Sequence, residues 1–266
     1  MLKKILMSPA DYFGLEYDIN AWMHQHQAIP VDLPTAKQQW QSVYDIYTKQ
    51  LGLDVVLCPP VEHLPDMVFA TDCGLMIDGK ILLSNFHYKE RKPESEQFKQ
   101  WFLKNGHTNL RQAKHLFEGG GDFMLCGDKI LGGFGFRSEQ GAGREVQEYF
   151  GLEVVPLRIV DPFFYHLDTS IAVLSDDTVA FYPGAIDAAS QKRLRKAIPN
   201  VIEATLEEAQ GFGLNAVAIG ETVITSNESE SLMQKYRDAG FNVIGTSILE
   251  FRKSGGGVKC MTFKIR

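Results

Sequence analysis

Long apolar runs are missing from this 266-residue sequence, and none approaches the roughly 20 residues of a membrane-spanning helix. The opening MLKKILMSPADYFGLEY carries two lysines, but its apolar run is too short for the hydrophobic region of a secretory signal, so a cytoplasmic protein is expected. Cysteine is scarce as well. The four present, Cys58, Cys73, Cys126 and Cys260, form no C-x-x-C pair and show no zinc-finger spacing, which argues against structural zinc and gives no sign of a disulfide framework in a chain of this length. There is no basic run either: the 27 lysines and arginines are dispersed among 33 acidic residues and the net charge is -6. Nucleic acid and anionic membrane are therefore disfavoured as main partners, and a small-molecule role is favoured.

What is present suffices for a large core. With 44% hydrophobic and 23% charged residues, the default is a single domain over 1–266, although the length also allows two. Four stretches share one pattern, two short apolar strands around a polar turn: GLMIDGKILLSNF, FMLCGDKILGGF, IAVLSDDTVAFYP and AVAIGETVITSN. Their turn residues Gly79, Gly127, Asp177 and Gly220 are 48, 50 and 43 positions apart, a period that indicates repeated supersecondary units. After each hairpin comes a helical stretch, such as KPESEQFKQWFLKNG or DAASQKRLRKAIP, and then a further apolar strand, clearest in LEVVPLRIV, NVIEAT and NVIGTSI. A helix and strand in TAKQQWQSVYDIYTKQLGLDVVLCPP and a strand in GGVKCMTFKIR supply a fifth unit split between the two ends. Closed radial repetition removes exposed sheet edges, so the prediction is an α/β propeller of five units with pseudo-fivefold repeats.

The residues entering each first hairpin strand are unusually polar. Asp72, Asp122, Asp168, Asn215 and Cys260 follow one another at intervals of 50, 46, 47 and 45 residues, which predicts similar depth around one axis, with Glu118 and His166 just upstream of two of them. A buried set of carboxylates calls for a compensating cation. No second histidine accompanies them, which disfavours a transition metal and leaves oxygen-ligated Ca²⁺ or Mg²⁺ as an alternative, whereas a thiol and an imidazole in the same set favour nucleophilic chemistry on an organic cation. Taken alone, Cys260 reads as a packed strand residue and His166 equally as a satisfied core histidine. FEGGGDF is more specific, since two carboxylates around three glycines make an expensive core. HLD is expected to place His166 and Asp168 on one face of a strand.

Over nearly the whole chain these motifs, YDINAWM, PDMVFATDCG, FEGGGDF, GFGFRS, DPFFYHLDT, FGLNAVAI and EFRKSGGGVKC, resemble the guanidine-modifying pentein superfamily, which includes arginine deiminases, dimethylarginine dimethylaminohydrolases, ornithine-forming arginine dihydrolases and amidinotransferases. Penteins are five-unit α/β propellers. The resemblance implies a covalent mechanism in which Cys260 is the nucleophile, His166 the general acid and base, and Glu118 the carboxylate that orients it. It also implies that Asp72 and Asp168 hold the guanidinium, that Asp122 helps bind the amino-acid end, that Arg137 and Arg91 anchor the substrate carboxylate, and that Asn20 lines the entrance. Asp72 stands where ornithine-forming dihydrolases carry Asn, which pulls towards single hydrolysis, while DPFFYHLDT, GFGFRS and GGGVKC look closest to the dihydrolase branch. The expectation is a hydrolase of guanidino C–N bonds acting on arginine or an N-methylarginine, with no metal or organic cofactor. Amidinotransfer to an amine and a non-enzymatic binding module are the alternatives.

Overall fold

The structure, a computed structural model, describes residues 4–266. Its simplest local event is the turn at Asp78 and Gly79, whose φ angles of 50° and 75° make the two-residue connection that matches the twist of the flanking strands. Around it, Gly74–Ile77 and Lys80–Leu83 pair antiparallel, with Ile77 opposite Lys80. The chain then enters the helix Lys92–Lys104 through Pro93, which suits a first turn because its missing N–H has no intrahelical partner there. Phe98, Trp101 and Phe102, at helical spacing, turn one face of that helix to the core. The strand Leu110–Gln112 follows and lies parallel to Lys80–Leu83.

The same order of events recurs. Phe123–Cys126 and Lys129–Phe134 form a hairpin, the helix Gln140–Phe150 ends on Gly151 in the left-handed conformation, and Glu153–Arg158 returns parallel. Ile171–Val173, Thr178–Phe181, the helix Ala188–Ala197 and Asn200–Glu203 repeat it. Val217–Ile219, Thr222–Ser226, the helix Glu230–Asp238 and Asn242–Thr246 repeat it again. The remaining sheet joins both ends of the sequence: Phe263–Ile265 pairs antiparallel with Lys4–Met7, which pairs parallel with Val55–Leu57 after the helix Leu33–Asp45. Among the described residues there are thus five three-stranded sheets in a mixed α/β fold, and the split sheet read from the sequence is one of them.

The middle strand of each sheet reads as an unbroken apolar run because it is covered on both faces. Ile5, Leu6 and Met7, Ile81 to Leu83, Ile130 and Leu131, Val179 to Phe181, and Val223 and Ile224 are all fully buried. One face of each sheet meets its own helix and the other meets neighbouring sheets, so five hydrophobic clusters interleave between sheets and helices. Among the described residues no helix is long and apolar enough to cross a membrane.

The polar residues expected on two of the strands lie in turns just ahead of them. His166 and Asp168 do not lie on a strand: His166 precedes the 3-10 turn Leu167–Thr169, and the hairpin strand starts only at Ile171. Cys260 likewise sits in a turn, where Met261 N–H donates to the Gly257 carbonyl, with the strand starting at Phe263. In both places local backbone bonds close a turn ahead of the strand: Thr169 N–H donates to the His166 carbonyl and Ser170 N–H to that of Leu167, as Met261 N–H does to Gly257. The expected helix after residue 33 also runs on beyond Asp45 as a π turn over Ile46–Gln50.

The split sheet gives a direct test of the core. Leu6→Ala, which opens a cavity among Cys58, Met67, Phe102 and Phe263, is expected to cost about 2–5 kcal/mol, measured as a lowered denaturant midpoint at unchanged slope.

Candidate active site

Each sheet begins with a short irregular turn, and those turns carry the polar residues. Asp72 lies in Ala70–Cys73, Asp122 in Gly119–Asp122, Asp168 in Leu167–Thr169, Asn215 just before Val217–Ile219, and Cys260 just before Phe263–Ile265. All five are at most 2% exposed. Their contacts form a circuit. Thr71 N–H donates to the Cys260 carbonyl at 3.0 Å, Leu167 N–H to Asp122 Oδ1 at 3.1 Å, and Asn215 Nδ2 to the Asp168 carbonyl at 3.1 Å and to Cys260 Sγ at 3.1 Å. The Gly119–Asp122 turn closes the circuit by packing on the Asp72 turn. Its glycines are required by contact: a Cβ on Gly121 would collide with Asp72 Oδ1 and lie 2.9 Å from His166 Nδ1.

Glu118 is the anchor of one half of the site. Its Oε1 accepts from His87 N–H at 2.9 Å, and its Oε2 accepts from Arg137 Nη1 at 3.0 Å and lies 2.7 Å from His166 Nε2. Burial opposes its charge, but Arg137 and the His166 hydrogen bond overcome that and hold Glu118 well below the usual carboxylate range. The His166 ring is buried too, which disfavours its cation. Asp72, Asp122 and the Glu118 bond outweigh burial and push it up to about 9. It is therefore an imidazolium near neutral pH, donating to Glu118 through Nε2 and turning Nδ1 towards Asp72 Oδ1, 3.7 Å away.

The other half is arranged around sulfur. Cys260 Sγ lies 3.6 Å from Asp168 Oδ2 and 3.9 Å from Oδ1. The Asn215 amide is fixed in orientation, because its Oδ1 accepts from the backbone N–H groups of Lys259 at 2.9 Å and Cys260 at 3.3 Å, which leaves Nδ2 to face the sulfur. Burial and the charges of Asp168 and Asp72 raise the Cys260 thiol well above its usual value. Burial likewise raises Asp168 to about 7, against the opposing pull of Lys259. Asp72 Oδ1 is buried with no hydrogen-bond partner. An unpaired carboxylate oxygen, a second raised carboxylate and a thiol that is hard to ionise are together what an incoming cation would relieve.

The sequence-read residues converge, with exceptions. Cys260, His166, Glu118, Asp72 and Asp168 meet as expected. Asp122 is not free for an amino-acid end: its two oxygens accept from Leu167 and Ser138 N–H, and it fastens the His166 turn. Arg91 is also engaged. Its Nε and Nη2 bind Glu94 as a fork at 2.9 Å each, Nη2 reaches the Asp66 carbonyl, and Nη1 binds Asp72 Oδ2 at 2.8 Å. Arg137 lies between the rings of Tyr88 and Tyr165, donates to Glu118 and to the Ile19 carbonyl, and lines a surface cavity of about 780 Å³ that Asn20 also lines. Asn20 caps the helix Ala21–His26 and donates from Nδ2 to the Ser254 carbonyl, tying the entrance segment to the loop that leads to Cys260. Sequence reading missed Asp66, Tyr88, Glu94 and Tyr165. Only Glu94 carried a signal, three residues after Arg91 at helical spacing. Among the described residues no set of three or more His, Cys, Asp or Glu side chains is placed to hold a metal ion.

Comparison with known proteins gives the following. The profile of the N,N dimethylarginine dimethylhydrolase family, eukaryotic, matches residues 10–266. The chain is 37% identical to the N(G),N(G)-dimethylarginine dimethylaminohydrolase of Mycobacterium tuberculosis, over 99% of this chain and 86% of that protein. It is 36% identical to the bifunctional arginine dihydrolase/ornithine cyclodeaminase AgrE of Nostoc sp., over 98% of this chain and 38% of that protein. Among solved structures, a variant of the N-terminal domain of ArgZ, from Synechocystis sp., covalently bound to a reaction intermediate, matches with a TM-score of 0.93 at 35% identity, covering 99% of this chain and 97% of that one.

The raised imidazole makes a pH prediction. A histidine whose folded pKa lies above its ordinary 6.5 contributes stability that is complete below about pH 6.5 and lost as the pH rises through about 9. NMR of labelled imidazoles is expected to show His166 titrating near 9, and Glu118→Gln is expected to lower that midpoint. A wild-type midpoint near 6.5 would contradict the assignment.

Proposed function

The chain belongs to the N,N dimethylarginine dimethylhydrolase family, and on that premise we propose that it hydrolyses a guanidino C–N bond of arginine or an N-methylarginine through a covalent intermediate on Cys260. The observation that carries this reading is the pairing of Cys260 Sγ with Asp168 beside the unpartnered Asp72 Oδ1, across from a protonated His166. A planar guanidinium presents N–H groups on several edges, so Asp72 and Asp168 can each accept from it and hold its central carbon over the sulfur. Its positive charge also offsets the burial and carboxylate repulsion that keep Cys260 a thiol. Binding and nucleophile activation are therefore coupled.

As the guanidinium binds, Cys260 loses its proton to solvent and the thiolate attacks the guanidinium carbon, forming an S–C bond and, as the C=N π electrons move to nitrogen, a neutral tetrahedral adduct. His166, already an imidazolium held by Glu118, protonates the departing nitrogen, and the C–N bond breaks to leave a thiouronium on Cys260. The neutral imidazole then takes a proton from water, the hydroxide adds to the same carbon, and the C–S bond breaks as the hydroxyl proton passes to solvent, leaving a neutral ureido product and a thiolate that takes up a proton to restore Cys260. Arg137 at the surface cavity anchors the substrate carboxylate. Arg91, forked on Glu94 and bonded to Asp72 Oδ2, holds the Asp72 carboxylate with Oδ1 left open. Asn20 orders the entrance. We further infer that the five sheets form one pentein-type propeller, a single domain over 1–266. The five linked turns and the repeated hairpin, helix and strand support that arrangement.

Incubation with arginine and, separately, with N-methylarginines is expected to yield a ureido or ornithine product with ammonia or methylamine, identified by chromatography and mass spectrometry. Cys260→Ser is expected to reduce kcat by at least about 10³-fold without loss of fold, and acid quenching of wild-type turnovers is expected to trap a mass adduct on the Cys260 peptide. Turnover near the wild-type rate in Cys260→Ser would remove the cysteine from the mechanism.

A further inference from the structure

Lys259 immediately precedes Cys260 and does not follow the pattern of the other lysines. Most of those extend into solvent or pair with surface carboxylates, such as Lys4 with Asp54 and Lys49 with Asp45. The Lys259 ammonium turns inward. It donates to Thr71 Oγ1 at 2.5 Å and to the Gly120 carbonyl at 3.1 Å, and no carboxylate lies within ion-pair distance of it among the described residues. Thr71 is next to Asp72, which faces His166, and Gly120 is next to Gly121, which packs against both Asp72 and His166. One side chain therefore joins three of the five turns: its own, the one that presents Asp72 and the one that follows Glu118.

Its charge is also placed to act on the site. Asp168 is faced by Asp72, Asp122, Cys260, His166 and Lys259, and Lys259 is the strongest of the cationic influences on it. His166, the other cation there, is already bonded to Glu118. Lys259 also lines a cavity of about 80 Å³ together with Lys264 and Arg266, and Lys264 and Lys259 repel each other.

We propose that Lys259 is a positioning residue of the hydrolysis, whose ammonium clamps the Asp72 turn to the glycine turn and supplies Asp168 with a positive neighbour where it would receive the guanidinium. The inference rests on the guanidino-hydrolase reading and adds to it a residue that does not touch the reacting atoms. Without the charge Asp168 holds its proton to higher pH, so the enzyme loses its guanidinium site at the acid end of its range. Without the clamp the site loosens at every pH.

The test measures kcat/KM across pH for Lys259→Met, Lys259→Gln and Lys259→Arg alongside the wild type, together with the rate of iodoacetamide alkylation of the Cys260 peptide by mass spectrometry. Lys259→Met and Lys259→Gln are expected to move the acid limb of kcat/KM upward by about one pH unit and to lower it roughly tenfold or more near neutral pH, with KM raised. Lys259→Arg is expected to keep the acid limb in place and to lose only part of the rate. The alkylation midpoint is expected to shift in both neutral variants whether or not they turn over. An unshifted acid limb and alkylation midpoint in folded Lys259→Met or Lys259→Gln overturns the proposal, as does an equal shift in Lys259→Arg. A wild-type protein inactive on arginine and methylarginines instead removes the reading on which the proposal stands.

Discussion

Negative charge buried without enough positive charge to match it is the constraint from which the rest of this site follows. Asp66, Asp72, Glu94, Glu118, Asp122 and Asp168 are all out of water, against Arg91, Arg137 and His166. Isolated buried carboxylates would be untenable, so each is assigned a partner. Glu118 takes Arg137 and His166, Glu94 takes both arms of Arg91, and Asp122 takes two backbone N–H groups. Asp66 Oδ1 also lacks a partner, next to Arg91, and beside the sulfur the deficit falls on the unpartnered oxygen of Asp72 and the carboxylate of Asp168. A protein that carries such a deficit is less stable than one that does not, and a bound cation would offset it.

The backbone makes that concentration possible. Five turns can approach one another only if little intervenes, and the two glycine triplets lie where side chains would intrude. Gly119 has φ of 49° and faces the backbone of Gly74 and Asp72, and Gly257 packs against the Asn215 amide. Asn215, the one uncharged member among the acids and the thiol, works as a spacer of fixed orientation. It accepts from the turn that carries Cys260 and donates to sulfur and to the Asp168 carbonyl. A carboxylate there would repel the thiolate, and a hydrocarbon would leave the Cys260 N–H and the Asp168 carbonyl without their side-chain partner.

The parts of this architecture that depend on short-range pattern were legible in the sequence. Alternating turns and apolar runs located the hairpins, helices and returning strands, and their spacing brought Asp72, Asp122, Asp168, Asn215 and Cys260 to one level. Direction was not legible. Asp122 lies at the same repeat position as Asp72, yet one points into its own scaffold and the other into the site, because only Asp122 has free N–H groups of Ser138 and Leu167 opposite it. Arg91 has the composition of a surface anchor in KERKPE but is drawn inward by Glu94 one turn later and by Asp66 far away in sequence. The strand expected for HLD failed because the N–H groups of Thr169 and Ser170 bond back to the His166 and Leu167 carbonyls, and polar residues two apart cannot be told from that 3-10 turn by residue type alone.

Position 72 shows how closely these assignments are coupled. Its carboxylate receives Arg91 on one oxygen and stands open on the other, and it is the largest of the influences holding His166 above its ordinary range. An amide in the same place would keep the shape and one acceptor, yet it would leave Arg91 with Glu94 and Asp66 alone and release part of the imidazole's hold on its proton. A histidine that surrenders its proton more readily is a weaker donor to a departing nitrogen near neutral pH and a more available base towards water. On the proposed reading, the charge at this one residue therefore sets together how a guanidinium would be held and which half of the histidine's work is favoured.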